Sequence, residues 1–208
     1  MTQYIVDHVG LDHDAATRLR VHYWHRYGAT LLGLVRHHGV KASHFLEETH
    51  RLPGLEARVR LHLPDRHALA ALPGRRFILT NAPRGYAMRV LDTLRLTGCF
   101  EGIVTIDDMV MFGQHRPKPD ARMLRALAAR LGVAPSDCVL VEDTLDHQRS
   151  ARRIGMRTVW MQRYLRPRGP GAGAPRRCTK PPYVCARIFR VKELHGLSES
   201  FAKGVGPR

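Results

Sequence analysis

Beyond residue 75 short apolar runs alternate with amphipathic stretches, and this alternation limits the folds open to the chain. The apolar runs fall at 76–80, near 102–105, at 138–142 and at 157–160, with helical patterns at 84–96, 120–131 and 144–154 between them. Such alternation predicts a parallel α/β sheet with right-handed crossovers. In open sheets of this kind ligands bind beyond the carboxyl ends of the strands. Three segments carry polar chemistry in the right places: Phe77-Ile78-Leu79-Thr80-Asn81, Arg116-Pro117-Lys118-Pro119-Asp120 and Val139-Leu140-Val141-Glu142-Asp143-Thr144.

The first segment reads as a buried strand that delivers the Thr80 hydroxyl and the Asn81 amide to its end. The helix after Pro83 would turn its free N–H groups toward an anion. A plain strand–turn–helix capped by Thr80 fits the same residues. In the second segment Pro117 and Pro119 restrict the backbone on either side of Lys118, and Asp120 caps the following helix. A lysine held there is a counter-charge for a phosphoryl group, or equally a solvated turn residue. The third segment ends a strand in two adjacent acids. Two carboxylates are costly to desolvate without a cation. Mg²⁺, which binds one or two carboxylates and keeps several waters, answers that cost. Thr144 is positioned to cap the next helix, and a capping cluster without metal is the other reading.

Together the three segments resemble the haloacid dehalogenase-like (HAD) hydrolase superfamily. Thr80 matches its strand-end Thr/Ser, Lys118 its lysine ahead of a helix, and Glu142 with Asp143 its acidic pair. Five stretches are similar to the pyrimidine 5′-nucleotidase branch: Leu79-Thr80-Asn81-Ala82-Pro83, Tyr27-Gly28-Ala29-Thr30-Leu31-Leu32-Gly33-Leu34, His37-His38-Gly39-Val40 with Phe45-Leu46, Arg116-Pro117-Lys118-Pro119 and Val141-Glu142-Asp143-Thr144-Leu145. The resemblance spans roughly residues 4 to 165. It implies a Mg²⁺-dependent phosphohydrolase acting on a small phosphorylated substrate, a nucleoside monophosphate in this branch. Thr80, Asn81 and Lys118 would bind the phosphoryl group, with Thr80 and Lys118 catalytic, and Glu142 and Asp143 would hold the metal.

Members of this superfamily open with an apolar strand ending in Asp-x-Asp-x-Thr. Its first Asp attacks phosphorus to form an aspartyl-phosphate, and its second is the acid/base. This chain begins at what resembles the helical cap, and no such strand occurs in it. Asp12-His13-Asp14 imitates the motif, but Asp7-His8-Val9-Gly10-Leu11 before it is no apolar strand. Asp14, Ala15, Ala16, Leu19 and Trp24 read instead as a capped helix start. The expectation is a phosphohydrolase shortened at its N-terminus. The alternative is an inactive HAD-like protein that binds a phosphate ligand or a protein partner. Loss of the strand, which the family places centrally, would expose two strand edges.

The organisation expected is a helical cap over residues 1–72 and an α/β Rossmann-like HAD core over 73–208. A single long helix is predicted from Asp14 to about His37, with Leu19, Tyr23, Tyr27 and Leu31 on one face. Shorter helices follow at Ser43–Thr49 and from Pro64 to Ala71. The small residues around Gly28–Gly33 permit close approach to a ligand or to a neighbouring helix. Residues 165–181 read as a flexible Pro/Gly/Arg-rich loop, and Tyr183–Ile188 as a returning edge strand.

A net charge of +16 permits nucleic-acid binding. The basic residues are scattered over helix faces and the tail with no accompanying motif, so a nucleic-acid partner is not expected. No apolar run of about 18 residues occurs and no secretory leader is visible, so neither a membrane span nor export is expected. Cys99, Cys138, Cys178 and Cys185 show no CxxC spacing. With Cys99 and Cys138 near strands as buried thiols, a reducing cytoplasm is the compartment expected.

Overall fold

The computed structural model describes residues 1–163 and 179–197; the expected loop at 165–181 lies, but for its last residues, outside the described ones. The helices are α1 (Thr2–Val9), α2 (His13–Tyr27), α3 (Thr30–His38), α4 (Ala42–His50), α5 (Leu55–Arg58), α6 (Leu63–Ala71), α7 (Arg84–Thr93), α8 (Ala121–Arg130) and α9 (Leu145–Arg153). The strands are β1 (Phe77–Leu79), β2 (Gly102–Val104), β3 (Val110–Met111), β4 (Gln114–His115), β5 (Val139–Glu142), β6 (Arg157–Met161) and β7 (Ala186–Ile188). An N-terminal helical region is thus followed by an α/β core built on parallel strand pairs. The residues form two compact units, Met1–Leu61 with Arg75–Lys118 and His62–Gly74 with Pro119–Arg208.

In the first unit α1 to α4 close around Ile5, Leu31, Leu34 and Phe45, all buried, with Tyr4, Tyr23, Leu46 and Ile106. Burying each large apolar side chain contributes about 1.5–3 kcal/mol. The long helix expected from Asp14 to His37 is two helices. Gly28 adopts φ 80°, and its N–H bonds the Trp24 carbonyl, ending α2. Asp12, not Asp14, caps α2, its carboxylate accepting from Ala15 N at 2.8 Å. The Asp-x-Asp imitation is therefore a helix start. Leu31 belongs to α3 but still meets Tyr23 and Leu19 in one core.

Gly33 shows why a small residue stands in α3. A Cβ there would lie 2.1 Å from Tyr23 Cγ, well inside contact distance. The close approach is made to the neighbouring helix. Tyr23 in turn bonds His38 Nε2 through its hydroxyl at 2.9 Å.

The chain then enters β1, which runs parallel to β2 with Phe77 opposite Gly102 and Leu79 opposite Val104. A Cβ at Gly102 would sit 3.1 Å from the Phe77 ring, so a larger residue there requires the ring to shift by a few tenths of an ångström. Among the described strands β1 pairs with β2 alone. Strands β3 and β4 form a tight antiparallel hairpin. Phe112 and Gly113 at its tip both have positive φ, a turn geometry that matches strand twist.

In the second unit β5, β6 and β7 form a parallel sheet in that order. The returning segment expected at 183–188 pairs with β6 over its last three residues, on the side away from β5. Helix α9 covers β5 and β6, and α8 packs on α9. Parallel strands are normally covered on both faces. Val159 is fully buried, whereas Val139 and Val141 of β5 are each 40% exposed. Helix α6 packs on the turn at Val191–Glu193, and His195 Nε2 lies 3.0 Å from the Ala68 carbonyl oxygen. Among the described residues no helix is long and apolar enough to cross a membrane.

Candidate phosphate and cation sites

In the first unit the end of β1 is fastened to the main chain of Lys118. Asn81 Nδ2 donates to the Lys118 carbonyl oxygen at 2.9 Å, and Lys118 N donates to Asn81 Oδ1 at 2.9 Å. Thr80 N bonds the Val104 carbonyl at 2.9 Å, which continues the β1–β2 ladder. Thr80 Oγ1 accepts from Ala82 N at 3.1 Å, closing a turn immediately after the strand. Pro117 and Lys118 are buried, and Lys118 is only 8% exposed. The structure thus brings together Thr80, Asn81 and Lys118. Asn81 spends one donor and one acceptor on holding Lys118.

The helix after this turn is less open to an anion than the sequence suggests. The first N–H of α7, from Arg84, donates to Asp107 Oδ2 at 2.7 Å. Its guanidinium pairs with Asp108 Oδ2 at 2.6 Å. Asp108 also accepts from the N–H and hydroxyl of Thr105, a fully buried residue. Burial pushes Asp108 up, but the bonds from Thr105 and Arg84 prevail and hold it below the usual carboxylate range. This acidic pair at the end of β2 is a structural knot. Its sequence signal, Thr105 three residues before Asp108, is that of a capping box.

In the second unit β5 delivers Glu142 and Asp143 to the start of α9. Glu142 Oε1 accepts from the N–H groups of Asp143 at 3.2 Å and Thr144 at 3.3 Å. These two N–H groups precede α9; Thr144 stands at its N-cap as expected, but no side chain caps the helix, and the Thr144 hydroxyl donates to Asp143 Oδ1 at 3.2 Å. Trp160 Nε1 donates to the Asp143 carbonyl at 3.0 Å. Buried Gln148 donates to the Glu142 carbonyl at 2.6 Å. Glu142 beside it, together with burial, raises the Asp143 carboxyl above its ordinary value. Two acids in contact call for a proton or a cation.

Sequence reasoning did not find Trp160, Gln148 or His147. His147 Nδ1 stands 3.2 Å from Glu142 Oε2. A histidine one helical turn after a strand-end acid was the available signal. Asp120 caps α8 as expected, accepting from Arg122 N at 2.8 Å and Met123 N at 3.4 Å. Ser150 Oγ donates to the Pro119 carbonyl, tying the entry of α8 to α9. Among the described residues no group of three or more His, Cys, Asp and Glu side chains is placed to hold a metal. The oxygen donors of Glu142 and Asp143 do fit a hydrated Mg²⁺, which takes one or two carboxylates and keeps its waters.

A model of the haloacid dehalogenase-like hydrolase family matches residues 15–155, more than half of the chain. The chain therefore belongs to the haloacid dehalogenase-like hydrolases. A phosphoserine phosphatase from Thermus thermophilus is 43% identical over 56 residues, which is 26% of this chain. That match spans only 22% of the relative's length. Among solved structures, a HAD phosphatase from Thermococcus onnurineus matches 95% of this chain and 86% of its own, with a TM-score of 0.54 and 20% identity. A conserved haloacid dehalogenase-like protein of unknown function from Agrobacterium tumefaciens covers 88% and 83%, with a TM-score of 0.55 and 21% identity. At these identities the structural likeness establishes the fold.

Proposed function

We propose that this chain supplies the phosphate-binding and cation-binding parts of a Mg²⁺-dependent phosphoric monoester hydrolase acting on nucleoside monophosphates. The observation that carries the reading is the bridge from Asn81 to Lys118. It fastens the main chain of a buried lysine to the residue that follows Thr80 at a strand end, which supports a role for this group in binding a phosphoryl group. In this reading the Thr80 hydroxyl and the N–H groups after it bind phosphoryl oxygens. Lys118 neutralises charge as it develops on them, and Asn81 fixes the main chain that carries Lys118. Glu142 and Asp143 hold Mg²⁺, which supplies electrostatic stabilisation of the transferring group when bound. The helical region closes over the rest of the substrate and excludes water.

The nucleotide preference rests on the resemblance of the Leu79–Pro83 and Tyr27–Leu34 stretches to the pyrimidine branch. The Thermus relative makes phosphoserine the competing substrate. A binding panel separates them: UMP, CMP, AMP and phosphoserine titrated into the protein with Mg²⁺, followed by ligand-observed NMR. The reading expects UMP and CMP to bind most tightly; preference for phosphoserine overturns the nucleotide assignment.

A further inference from the structure

We propose that His147 is a metal ligand, forming with Glu142 a nitrogen–oxygen site for a divalent first-row transition cation, with Mn²⁺ as its probe. The inference rests on the reading of the Glu142–Asp143 pair as the cation site and adds a donor that this reading does not contain.

The geometry comes first. His147 Nδ1 and Glu142 Oε2 are 3.2 Å apart, and the two side chains are only 12% and 10% exposed. At that separation a hydrogen bond is expected, yet Nδ1 is buried and has no hydrogen-bond partner. The imidazole nitrogen and the carboxylate oxygen stand close without being aimed at each other. Two donors on adjacent corners of an octahedral cation, each about 2.1 Å from it, stand about 3.0 Å apart. The observed spacing is that of two ligands sharing one ion.

The placement is rigid. Glu142 ends β5 and His147 lies in the first turns of α9, which packs on that strand. Gln148, fully buried, bonds the Glu142 carbonyl and locks the two elements in register. Glu142 Oε1 accepts from the N–H groups of Asp143 and Thr144, and Oε2 lies 3.2 Å from His147 Nδ1. Pre-organised donors of this kind lose little on binding an ion.

The donor set then sets the preference. Mg²⁺ takes oxygen ligands and water, whereas imidazole nitrogen suits Fe²⁺, Ni²⁺, Cu²⁺ and Zn²⁺; Mn²⁺, the weakest of the first-row series for nitrogen, accepts a mixed donor set and is the paramagnetic probe. The experiment uses the whole chain with Mn²⁺ alone. Pulsed electron paramagnetic resonance should show ¹⁴N modulation from one directly bound imidazole. His147→Asn should abolish that modulation and weaken Mn²⁺ by about tenfold or more, while Mg²⁺ affinity, read by competition, changes less than threefold. His147→Gln serves as a second variant, with circular dichroism confirming its fold. Glu142→Gln should also remove the ¹⁴N signal. Mn²⁺ binding without ¹⁴N modulation, or modulation that survives in the His147 variants, overturns the proposal and leaves the acidic pair as the cation site. No binding of Mn²⁺ or Mg²⁺ at all overturns the cation site itself.

Discussion

The Asn81 side chain is hydrogen-bonded in both directions to the main chain of Lys118, with both bonds at 2.9 Å. One residue at a strand end thereby fixes a lysine 37 positions later. Removing it costs stability and position together. Asn81→Ala is expected to destabilise the protein by about 1–3 kcal/mol through two lost bonds in a part-buried place. Asn81→Asp keeps the acceptor but sets a carboxylate against the Lys118 carbonyl, so it should be no better. Urea denaturation measures both. A loss below about 0.5 kcal/mol for the alanine variant contradicts the bridge.

Gly33 is explained by packing. Its absent side chain is where the Tyr23 ring sits. Gly33→Ala should therefore overpack the α2–α3 contact and cost about 1–3 kcal/mol. Any effect on ligand binding should be the same for nucleotides and for p-nitrophenyl phosphate. A variant as stable as the parent but impaired only toward nucleotides would place Gly33 at the ligand instead.

Asp120 caps α8 and carries a pH signature. Burial pushes its carboxyl up, but the Arg122 side chain and the N–H groups of Arg122 and Met123 outweigh this and hold it below the ordinary range. A depressed folded-state pKa gives stability that is present above the unfolded value and is lost as pH falls through the folded one. Asp120→Ala should cost about 1 kcal/mol near neutrality. The gap between variant and parent should close as pH falls below the normal carboxylate range. Urea midpoints across that range test the sign; a gap that widens on acidification contradicts it.

Much of the core could be read from the sequence because its signals are local. Apolar runs ending in Thr80, Lys118 with its prolines, and Glu142-Asp143 are each decided within a few residues. The break at Gly28 was not, because the apolar spacing of Leu19, Tyr23, Tyr27 and Leu31 continues across it and only the backbone angle betrays the turn. Nor was the α7 N-terminus: Asp107, more than twenty residues away, takes the Arg84 N–H that the local pattern leaves free. Thr144 stands at the N-cap of α9, but its hydroxyl turns to the Asp143 carboxylate instead of capping the helix. His147, Gln148 and Trp160 acquire their roles only when α9 and β6 pack beside β5. Tertiary contacts of that kind leave no mark on a periodicity.

Catalysis by the 208 residues themselves is expected to be absent. These residues contain no apolar run ending in Asp-x-Asp-x-Thr, the pattern that supplies the superfamily's nucleophile, and loss of a covalent nucleophile removes many orders of magnitude of rate. Release of p-nitrophenol from p-nitrophenyl phosphate with Mg²⁺ should not exceed background. Joining an apolar strand ending in Asp-x-Asp-x-Thr to the N-terminus should produce Mg²⁺-dependent release. Robust turnover by the 208 residues alone contradicts the account of the nucleophile.

The central claim is that the strand end carrying Thr80 and Asn81, together with Lys118, binds a phosphate-like oxyanion. Direct titration of such an anion tests it. Tungstate, a tetrahedral phosphate mimic, is titrated calorimetrically into the protein and then into Lys118→Met. The account predicts saturable binding that Lys118→Met weakens by about tenfold or more, as loss of a charge-assisted contact does. No tungstate binding to the parent, or an affinity unchanged in Lys118→Met, would contradict the phosphate site.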